Sequence, residues 1–268
     1  MQDNIVEVSD VHFAFGETKV LQGINLNIPR GKVVAILGAS GCGKSTLLRM
    51  LGAQQRPDRG SVKVMGETIS AMDGDPLYQL RKKIGMMLQK GGLFSDMSVF
   101  DNIAFPLREH TDLPEAQIHD LVLMKLHSVG LRGAHALMPG ELSGGMARRV
   151  ALARAIALDP DLLMYDEPFA GLDPISLNVI ATLIRRLNDA LGLTSIIVTY
   201  DVSESIKVVD YLYFISGGKV VAEGPTAEIK TSNDPFVRQF LDAKPDGPVA
   251  FHYPGKPIRE SLSFAASN

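Results

Sequence analysis

The stretch VVAILGASGCGKS, residues 33–45, decides the fold because a short apolar run leads directly into a glycine-rich loop. A continuous apolar run ended by glycine predicts a strand buried on both faces, as in a parallel sheet. The loop matches the pattern G-x-x-x-x-G-K-S/T, and the helical pattern TLLRML follows at residues 46–51. The stretch therefore predicts a strand, a phosphate-binding loop and a helix, in that order.

The residue types of this loop are those that bind a phosphate anion. Glycines let successive backbone N–H groups turn toward an anion, and the N-terminus of the next helix adds its positive dipole end. We expect Lys44 to neutralise the β- and γ-phosphates of a nucleotide and the Ser45 hydroxyl to ligate Mg²⁺. The predicted nucleotide-binding residues of the loop are Gly38, Ala39, Ser40, Gly41, Cys42, Gly43, Lys44, Ser45 and Thr46.

Composition narrows the class of protein. The 268 residues are 46% hydrophobic and carry 27 basic against 30 acidic side chains, so no basic field favours nucleic acid. A single cysteine, Cys42, excludes an internal disulfide, fits a reducing compartment and is expected to be only a small loop residue. The N-terminus MQDNIVEVSD does not have the pattern of a secretory signal, and no apolar run approaches the roughly 20 residues that span a bilayer. A membrane role would therefore need a partner that holds the chain there.

Strand and helix patterns alternate along the chain. Residues 5–28 predict short, mostly antiparallel strands, and residues 97–142 predict a helical subdomain. Alternating strands and helices elsewhere predict an α/β core with a parallel sheet. We expect a main domain over residues 5–242 and a C-terminal extension over 243–268, whose Pro- and Gly-rich composition is typical of a disordered tail. The core patterns are strand runs at 33–37, 162–165 and 196–198 and helical runs at 147–158 and 177–191.

Two carboxylates follow the apolar run at 162–165. Ligands of parallel sheets bind at the carboxyl ends of the strands, where Asp166 and Glu167 are predicted to lie. On their own, two acidic residues at a strand end are often only solvent-exposed surface charges. A phosphate-binding loop in the same chain favours a catalytic role for them. We expect Asp166 to organise Mg²⁺ through its water shell and Glu167 to act as the general base toward water.

The stretch LSGGMARRVALARAIALDPDLLMYDEPFAGLDP, residues 142–174, narrows the class further. Ser143 is a plausible N-cap, and Gly144 and Gly145 leave the N–H groups of the helix bare. On its own this pattern is more often a simple helix start than an anion site. Followed by the two acids, it resembles the signature and Walker B regions of the ATP-binding cassette (ABC) ATPases, and the resemblance covers roughly residues 5–242.

The resemblance implies a P-loop NTPase (RecA-like) core with an N-terminal antiparallel β subdomain and an inserted helical subdomain. It also implies roles for two residues that local patterns leave as a core or edge aromatic and a surface amide. Phe15 would stack on adenine, and Gln89 would contact Mg²⁺ and sense a membrane partner. In this family two copies meet head to tail around ATP. Ser143, Gly144 and Gly145 would then complete the site of the opposite copy, and Asp173 would carry a signal between the sites.

Shorter stretches resemble one branch of the family, the ATPases of bacterial phospholipid (Mla) transport. These are SVFDNIAFPLREHTDLP (98–114), ELSGGMARRVALARAIALDPDL (141–162) and DGPVAFHYP (246–254). The likeness implies a permease docking at residues 91–94, a substrate-binding protein, a small regulatory protein and a position at the cytoplasmic face of the inner membrane. It also gives the tail a second interpretation, in which it reaches the neighbouring ATPase with Phe251 and Tyr253 as anchors.

One position departs from the family pattern. The family has a histidine two residues after the strand that here covers 196–198, and this chain has Tyr200 at that position. The phenol keeps one hydroxyl donor but stays uncharged near neutral pH and cannot act as an imidazolium. We expect Tyr200 to position the γ-phosphate and hydrolysis to persist through Glu167.

Other functions stay open at this point. The chain can be the ATPase of another ABC importer, because such a subunit never touches cargo. It can also be a nucleotide-sensing subunit that binds ATP and hydrolyses it slowly or not at all, which only Tyr200 supports. An ATPase of DNA repair or chromosome structure would need a long heptad-repeat insertion, which the sequence lacks.

Overall fold

A computed structural model describes residues 3–89, 91–249 and 258. The strands are β1 (Asn4–Phe15), β2 (Thr18–Pro29), β3 (Val33–Leu37), β4 (Arg59–Val64), β5 (Glu67–Thr68), β6 (Ile84–Met87), β7 (Leu162–Asp166), β8 (Thr194–Thr199), β9 (Tyr211–Ser216) and β10 (Lys219–Pro225). The helices are α1 (Lys44–Leu51), α2 (Gly74–Lys82), α3 (Val99–His110), α4 (Glu115–Ser128), α5 (Gly144–Ala155), α6 (Pro174–Leu191), α7 (Val202–Val208), α8 (Thr226–Thr231) and α9 (Pro235–Leu241).

The N-terminal strands form an antiparallel sheet in the order β2-β1-β4-β5. The predicted antiparallel pairing is confirmed, but the prediction of short strands was wrong, because β1 and β2 each run for 12 residues. Register shifts between Val8 and Val11 and between Phe13 and Ala14 bend β1 without ending it. The two strands are joined by the turn at Gly16. Residues 5–28 therefore lie in one long hairpin and not in the several short strands that were predicted.

The main sheet has six strands in the order β10-β9-β3-β8-β7-β6, all parallel except for the β10 edge. All five residues of β3 are fully buried, as the apolar run predicted. Val33, Ala35 and Leu37 pack into the core beneath the helices, while Val34 and Ile36 pack with α1 and the antiparallel sheet. The α/β fold with a parallel sheet and an antiparallel N-terminal part is confirmed.

A helical layer contains α3, α4 and α5, which contact one another. Ser98 caps α3 by accepting from the Asp101 N–H, and Ser143 caps α5 by accepting from the Met146 N–H, as expected for serine at an N-cap. Helix α5 ends at Ala155, three residues short of the predicted run at 147–158. None of the helices in the ranges described above is long and apolar enough to cross a bilayer.

The start of the C-terminal extension folds against α9. The buried Gln239 side chain donates to the Val249 carbonyl at 2.9 Å and accepts from the Val249 N–H at 2.8 Å. Phe251 and Tyr253, the predicted anchors of the tail, lie outside the described residues.

Sheet order positions the functional residues. Because β8 lies between β3 and β7, the carboxyl ends of these three parallel strands meet at one edge of the sheet. Leu37 pairs with Thr199, and Val198 pairs with Asp166. The glycine-rich loop, Tyr200 and the two carboxylates therefore leave the sheet side by side.

Candidate active site

The loop between β3 and α1 requires glycine at two close approaches. A Cβ at Gly38 would lie 2.3 Å from the Ile215 carbonyl oxygen, and a Cβ at Gly43 would lie 2.7 Å from Leu21 Cδ2. Gly43, at a φ of +103°, is the residue that precedes the first turn of α1. Burial raises the pKa of the Cys42 thiol, which therefore stays protonated at neutral pH. The two glycines thus let the loop pack closely as it leads into α1. Its cysteine is a thiol rather than a reactive thiolate.

The Lys44 side chain folds back to the start of the loop. Its ammonium donates to the Gly38 carbonyl at 2.9 Å and to the Ala39 carbonyl at 3.0 Å. The side chain is buried, and its Nζ lies 3.9 Å from Glu167 Oε1. A buried positive charge thus lies between the loop and a catalytic candidate, where it can neutralise an incoming phosphate.

Ser45 and Asp166 meet across the edge of the sheet. The Ser45 hydroxyl donates to Asp166 Oδ1 at 3.0 Å, although the two residues are distant in sequence. One belongs to the first turn of α1 and the other ends β7. The contact brings a hydroxyl and a carboxylate, both hard oxygen ligands, to one point.

Glu167 has the most unusual environment of the site. Its φ of +47° is in the left-handed region, and its side chain is largely buried. The Tyr200 N–H donates to Glu167 Oε2 at 3.3 Å. Burial raises the pKa of the Glu167 carboxyl, opposed by the Thr199 hydroxyl, the Lys44 charge and the Tyr200 N–H, with the Asp166 charge raising it further. A carboxylate with raised proton affinity is the better general base.

Tyr200 presents its backbone to Glu167 and its side chain to a cavity. Its side chain is 53% exposed and lines an apolar cavity of about 840 Å³, together with Ala39 and Ser40 of the loop and the end of α9. The Tyr200 side chain therefore borders the same cavity as two residues of the loop.

The sequence profile of the ABC transporter family matches residues 21–170, more than half of the chain. The chain belongs to the ABC transporter family. It is an ATP-binding subunit of that family, an ATPase coupled to transport.

Relatives and solved structures agree with this assignment. The chain is 54% identical over 262 residues to the intermembrane phospholipid transport system ATP-binding protein MlaF of Haemophilus influenzae, covering 98% of this chain and 99% of that protein. It is 53% identical over 251 residues to MlaF of Escherichia coli strain K12, covering 94% and 93% of the two chains. The dimeric, post-hydrolysis structure of the ATP-binding cassette MJ0796 bound to ADP and Pi superposes on this chain with a TM-score of 0.76 at 30% identity. The match covers 82% of this chain and 98% of the MJ0796 chain.

The structure does not bring all predicted site residues together. Gln89 is an exposed loop residue after β6. Phe15 is exposed at the end of β1, and its ring packs edge-on against Phe13 with the ring centroids 4.8 Å apart. Asp173 caps α6, accepting from two backbone N–H groups at 3.0 Å. Within the described ranges, Ser143, Gly144, Gly145 and Asp173 form no hydrogen bond to the phosphate-binding loop.

Sequence reasoning missed Arg148. Its guanidinium donates to the carbonyls of Glu167 at 3.2 Å and Ala170 at 3.0 Å, so it touches the backbone of the catalytic candidate. The available signal in the sequence was the pair of adjacent arginines, Arg148 and Arg149, directly after the signature stretch.

Sequence reasoning also missed Asn102 and Arg154, which hold the segment of residues 91–98 in place. The fully buried Asn102 amide donates to the carbonyls of Phe94, Met97 and Ser98, and its oxygen accepts from the Phe94 N–H at 2.8 Å. Arg154 donates to the Gly91 and Gly92 carbonyls at 3.0 and 2.8 Å and lies over the Phe94 ring. This segment forms one wall of a groove of about 640 Å³.

Proposed function

We propose that this chain hydrolyses ATP through Lys44, Asp166 and Glu167 and thereby powers phospholipid movement in a transporter of the Mla type. The observation that carries the proposal is a cluster of three contacts at the carboxyl ends of β3, β7 and β8: Lys44 Nζ lies 3.9 Å from Glu167 Oε1, the Ser45 hydroxyl donates to Asp166, and the Tyr200 N–H donates to Glu167. Such a cluster combines a phosphate-binding cation, hard oxygen ligands and a general base.

Mg²⁺ fits the donor set of this cluster. Ser45 Oγ and Asp166 Oδ1 lie 3.0 Å apart, and hydroxyl, carboxylate and water oxygens are the ligands that Mg²⁺ prefers. Ser45 would bind the ion directly and Asp166 through its water shell, while Gln89 would join from its exposed loop. When bound, the ion neutralises charge on the phosphates.

Glu167 is then the residue that accepts a proton from the attacking water. As the water oxygen bonds to the γ-phosphorus, the bond to the β,γ-bridging oxygen breaks and ADP carries the electron pair away. Lys44 neutralises the growing charge on the phosphates, and the Tyr200 hydroxyl positions the γ-phosphate by donating a hydrogen bond. The raised pKa of Glu167 suits the proton transfer.

A second copy of the chain completes each site in this proposal. The phosphate-binding loop (Gly38, Ala39, Ser40, Gly41, Cys42, Gly43 and Thr46 with Lys44 and Ser45) would hold ATP from one side. Ser143, Gly144 and Gly145 of the other copy would close it, with Phe15 stacked on adenine and Asp173 between the sites. Two features support this arrangement: among the described residues, Ser143, Gly144, Gly145 and Asp173 form no hydrogen bond to the loop of their own chain, and the similar cassette MJ0796 is a dimer with ADP and Pi.

Transport requires partners. We infer a permease resembling MlaE, a substrate-binding protein resembling MlaD and a small regulator resembling MlaB, at the cytoplasmic face of the bacterial inner membrane. The names of the MlaF relatives support the phospholipid assignment. The groove walled by Gly92 and Phe94 supports the permease, because its aromatic and apolar lining suits a docked helix.

The domain assignment is part of the proposal. Residues 5–242 would form the ATPase domain, with the helical subdomain at about 97–142, and residues 243–268 would contact the neighbouring copy or a partner. Deleting residues 250–268, beyond the contact of Gln239 with Val249, is expected to weaken dimer or partner assembly. An assembly of unchanged stability after this truncation would refute the role of the tail.

ATP turnover by the assembled transporter tests the hydrolysis. We expect the parent to release phosphate, Glu167→Gln to lower the rate by about 10²- to 10⁴-fold, and Tyr200→Phe to be slower than the parent. Tyr200→His should be at least as fast as the parent. A parent that binds ATP but releases no phosphate with its partners present would favour the nucleotide-sensing alternative.

Co-purification separates phospholipid transport from the other ABC importers. The tagged chain should capture its permease and a substrate-binding protein that carries phospholipid when extracted. Capture of a permease whose binding protein carries a different solute would refute the cargo but leave the ATPase site intact.

A further inference from the structure

Helix α5 connects two functional elements. It begins at the signature residues, where Ser143 caps it, and Arg148 lies in its second turn. From there the Arg148 guanidinium donates to the carbonyls of Glu167 at 3.2 Å and Ala170 at 3.0 Å. One side chain therefore joins the signature helix to the loop that carries the proposed general base.

That loop needs restraint because Glu167 is strained. A non-glycine residue in the left-handed region costs about 1–2 kcal/mol, and such strain persists only where the surroundings impose it. The Glu167 N–H donates to the Val198 carbonyl at 2.8 Å, which fixes one side of the residue. On the other side the Glu167 carbonyl accepts from Arg148 at 3.2 Å and from the Ala170 N–H at 3.3 Å.

The guanidinium is suited to this task. Its planar fork reaches two carbonyls at once, which a lysine ammonium cannot do with the same geometry. Burial lowers the pKa of Arg148, and the nearby Tyr200 phenol opposes that shift, which places the guanidinium close to both catalytic candidates. An arginine side chain stays charged in proteins. A partly buried charge that bonds backbone carbonyls rather than a carboxylate fixes the position of the backbone.

We propose that Arg148 is a positioning residue that ties the orientation of Glu167 to the signature helix of the same chain. In the ATP dimer that helix closes on the nucleotide of the opposite site. Arg148 therefore makes the geometry of the general base in one site depend on nucleotide bound in the other. The inference rests on the general-base role proposed for Glu167.

The test compares Arg148→Met with Arg149→Met in the assembled transporter. Arg149 lies on the same helix, but its guanidinium donates to the Val129 carbonyl at 3.3 Å, away from the site. For Arg148→Met we expect kcat to fall by about 10- to 100-fold, the size of a misplaced catalytic group, with KM for ATP within about twofold. The Arg149→Met control should keep kcat within about twofold of the parent.

A double-mutant cycle separates positioning from general damage. In the Glu167→Gln background, Arg148→Met should change the residual rate by less than about twofold, because no general base remains to be positioned. Equal losses with and without Glu167, a parental kcat for Arg148→Met, or an equal loss for Arg149→Met would each overturn the inference. Where Arg148→Met does not fold, Arg148→Gln, which keeps one donor, is judged by the same criteria.

The two proposals fail differently. If Glu167→Gln alone keeps the parental rate, the role of Glu167 is wrong. If Glu167→Gln is inactive but Arg148→Met is not impaired, only the positioning role of Arg148 is wrong.

Discussion

Two glycines of the phosphate-binding loop differ in a way that isolates one packing contact. Gly41 and Gly43 both have positive φ, +79° and +103°. A Cβ at Gly41 meets no atom within 4 Å, whereas a Cβ at Gly43 would lie 2.7 Å from Leu21 Cδ2 and 3.1 Å from the Val20 carbonyl oxygen. Alanine at Gly41 therefore adds backbone strain alone, about 1–2 kcal/mol. Alanine at Gly43 adds overpacking of about 1–3 kcal/mol to a similar strain.

Thermal unfolding without nucleotide measures the difference. A domain of this size loses about 2–4 °C in Tm per kcal/mol, so we expect about 5 °C for Gly41→Ala and about 10 °C for Gly43→Ala. The smaller entropy of the unfolded alanine variant affects both equally and cancels in the comparison. Gly43→Ala should also lose ATP binding, because the start of α1 must shift away from Val20. If Gly43→Ala melts no lower than Gly41→Ala, the close packing of the loop against β2 is not the reason for glycine at Gly43.

Three further predictions follow from the site and the groove. Burial raises the pKa of Glu167 in the folded state, so the folded protein loses stability as pH rises above the unfolded pKa of about 4.3 and the carboxyl ionises. Glu167→Gln, which cannot ionise, should therefore be more stable than the parent at pH 7 and lose that advantage below about pH 4. Chemical denaturation of both proteins at the two pH values measures the difference. Equal unfolding free energies at pH 7 would contradict it. Asn102→Ala leaves the Phe94 N–H unpaired and should cost about 3 kcal/mol, with weaker capture of the permease in pull-downs. Unchanged melting would contradict the role of Asn102 in holding Phe94. Lys44→Met should weaken binding of a fluorescent ATP analogue by at least about 10-fold, and unaltered affinity would remove Lys44 from the phosphate site.

The sequence alone was sufficient for the local part of the site. The strand, loop and helix at 33–51 follow one another along the chain, so their geometry is set by short-range rules. Asp166 and Glu167 were also predictable, because an apolar run ending in acids places them at the carboxyl end of a strand. That Tyr200 lies between these elements depends on β8 lying between β3 and β7, and strand order has no local signal.

Contacts between distant elements were not predictable in the same way. The fork from Arg148 to Glu167 and Ala170 joins a helix to a loop through backbone carbonyls, which any residue type offers. The left-handed conformation of Glu167 likewise has no sequence signal, because glutamate rarely adopts it. The length of β1 was misjudged because a bulged strand loses its strict alternation.

In the proposed dimer, two copies of this chain share each ATP, which one copy binds through Lys44 and the other through Ser143. Light scattering during size-exclusion chromatography tests it on the Glu167→Gln variant, which should hold ATP without consuming it. We expect a dimer with MgATP, a monomer with MgADP, and a monomer with MgATP when Ser143→Arg is added, because arginine blocks the signature face. A Glu167→Gln, Ser143→Arg chain that dimerises with MgATP as readily as Glu167→Gln would contradict the shared site.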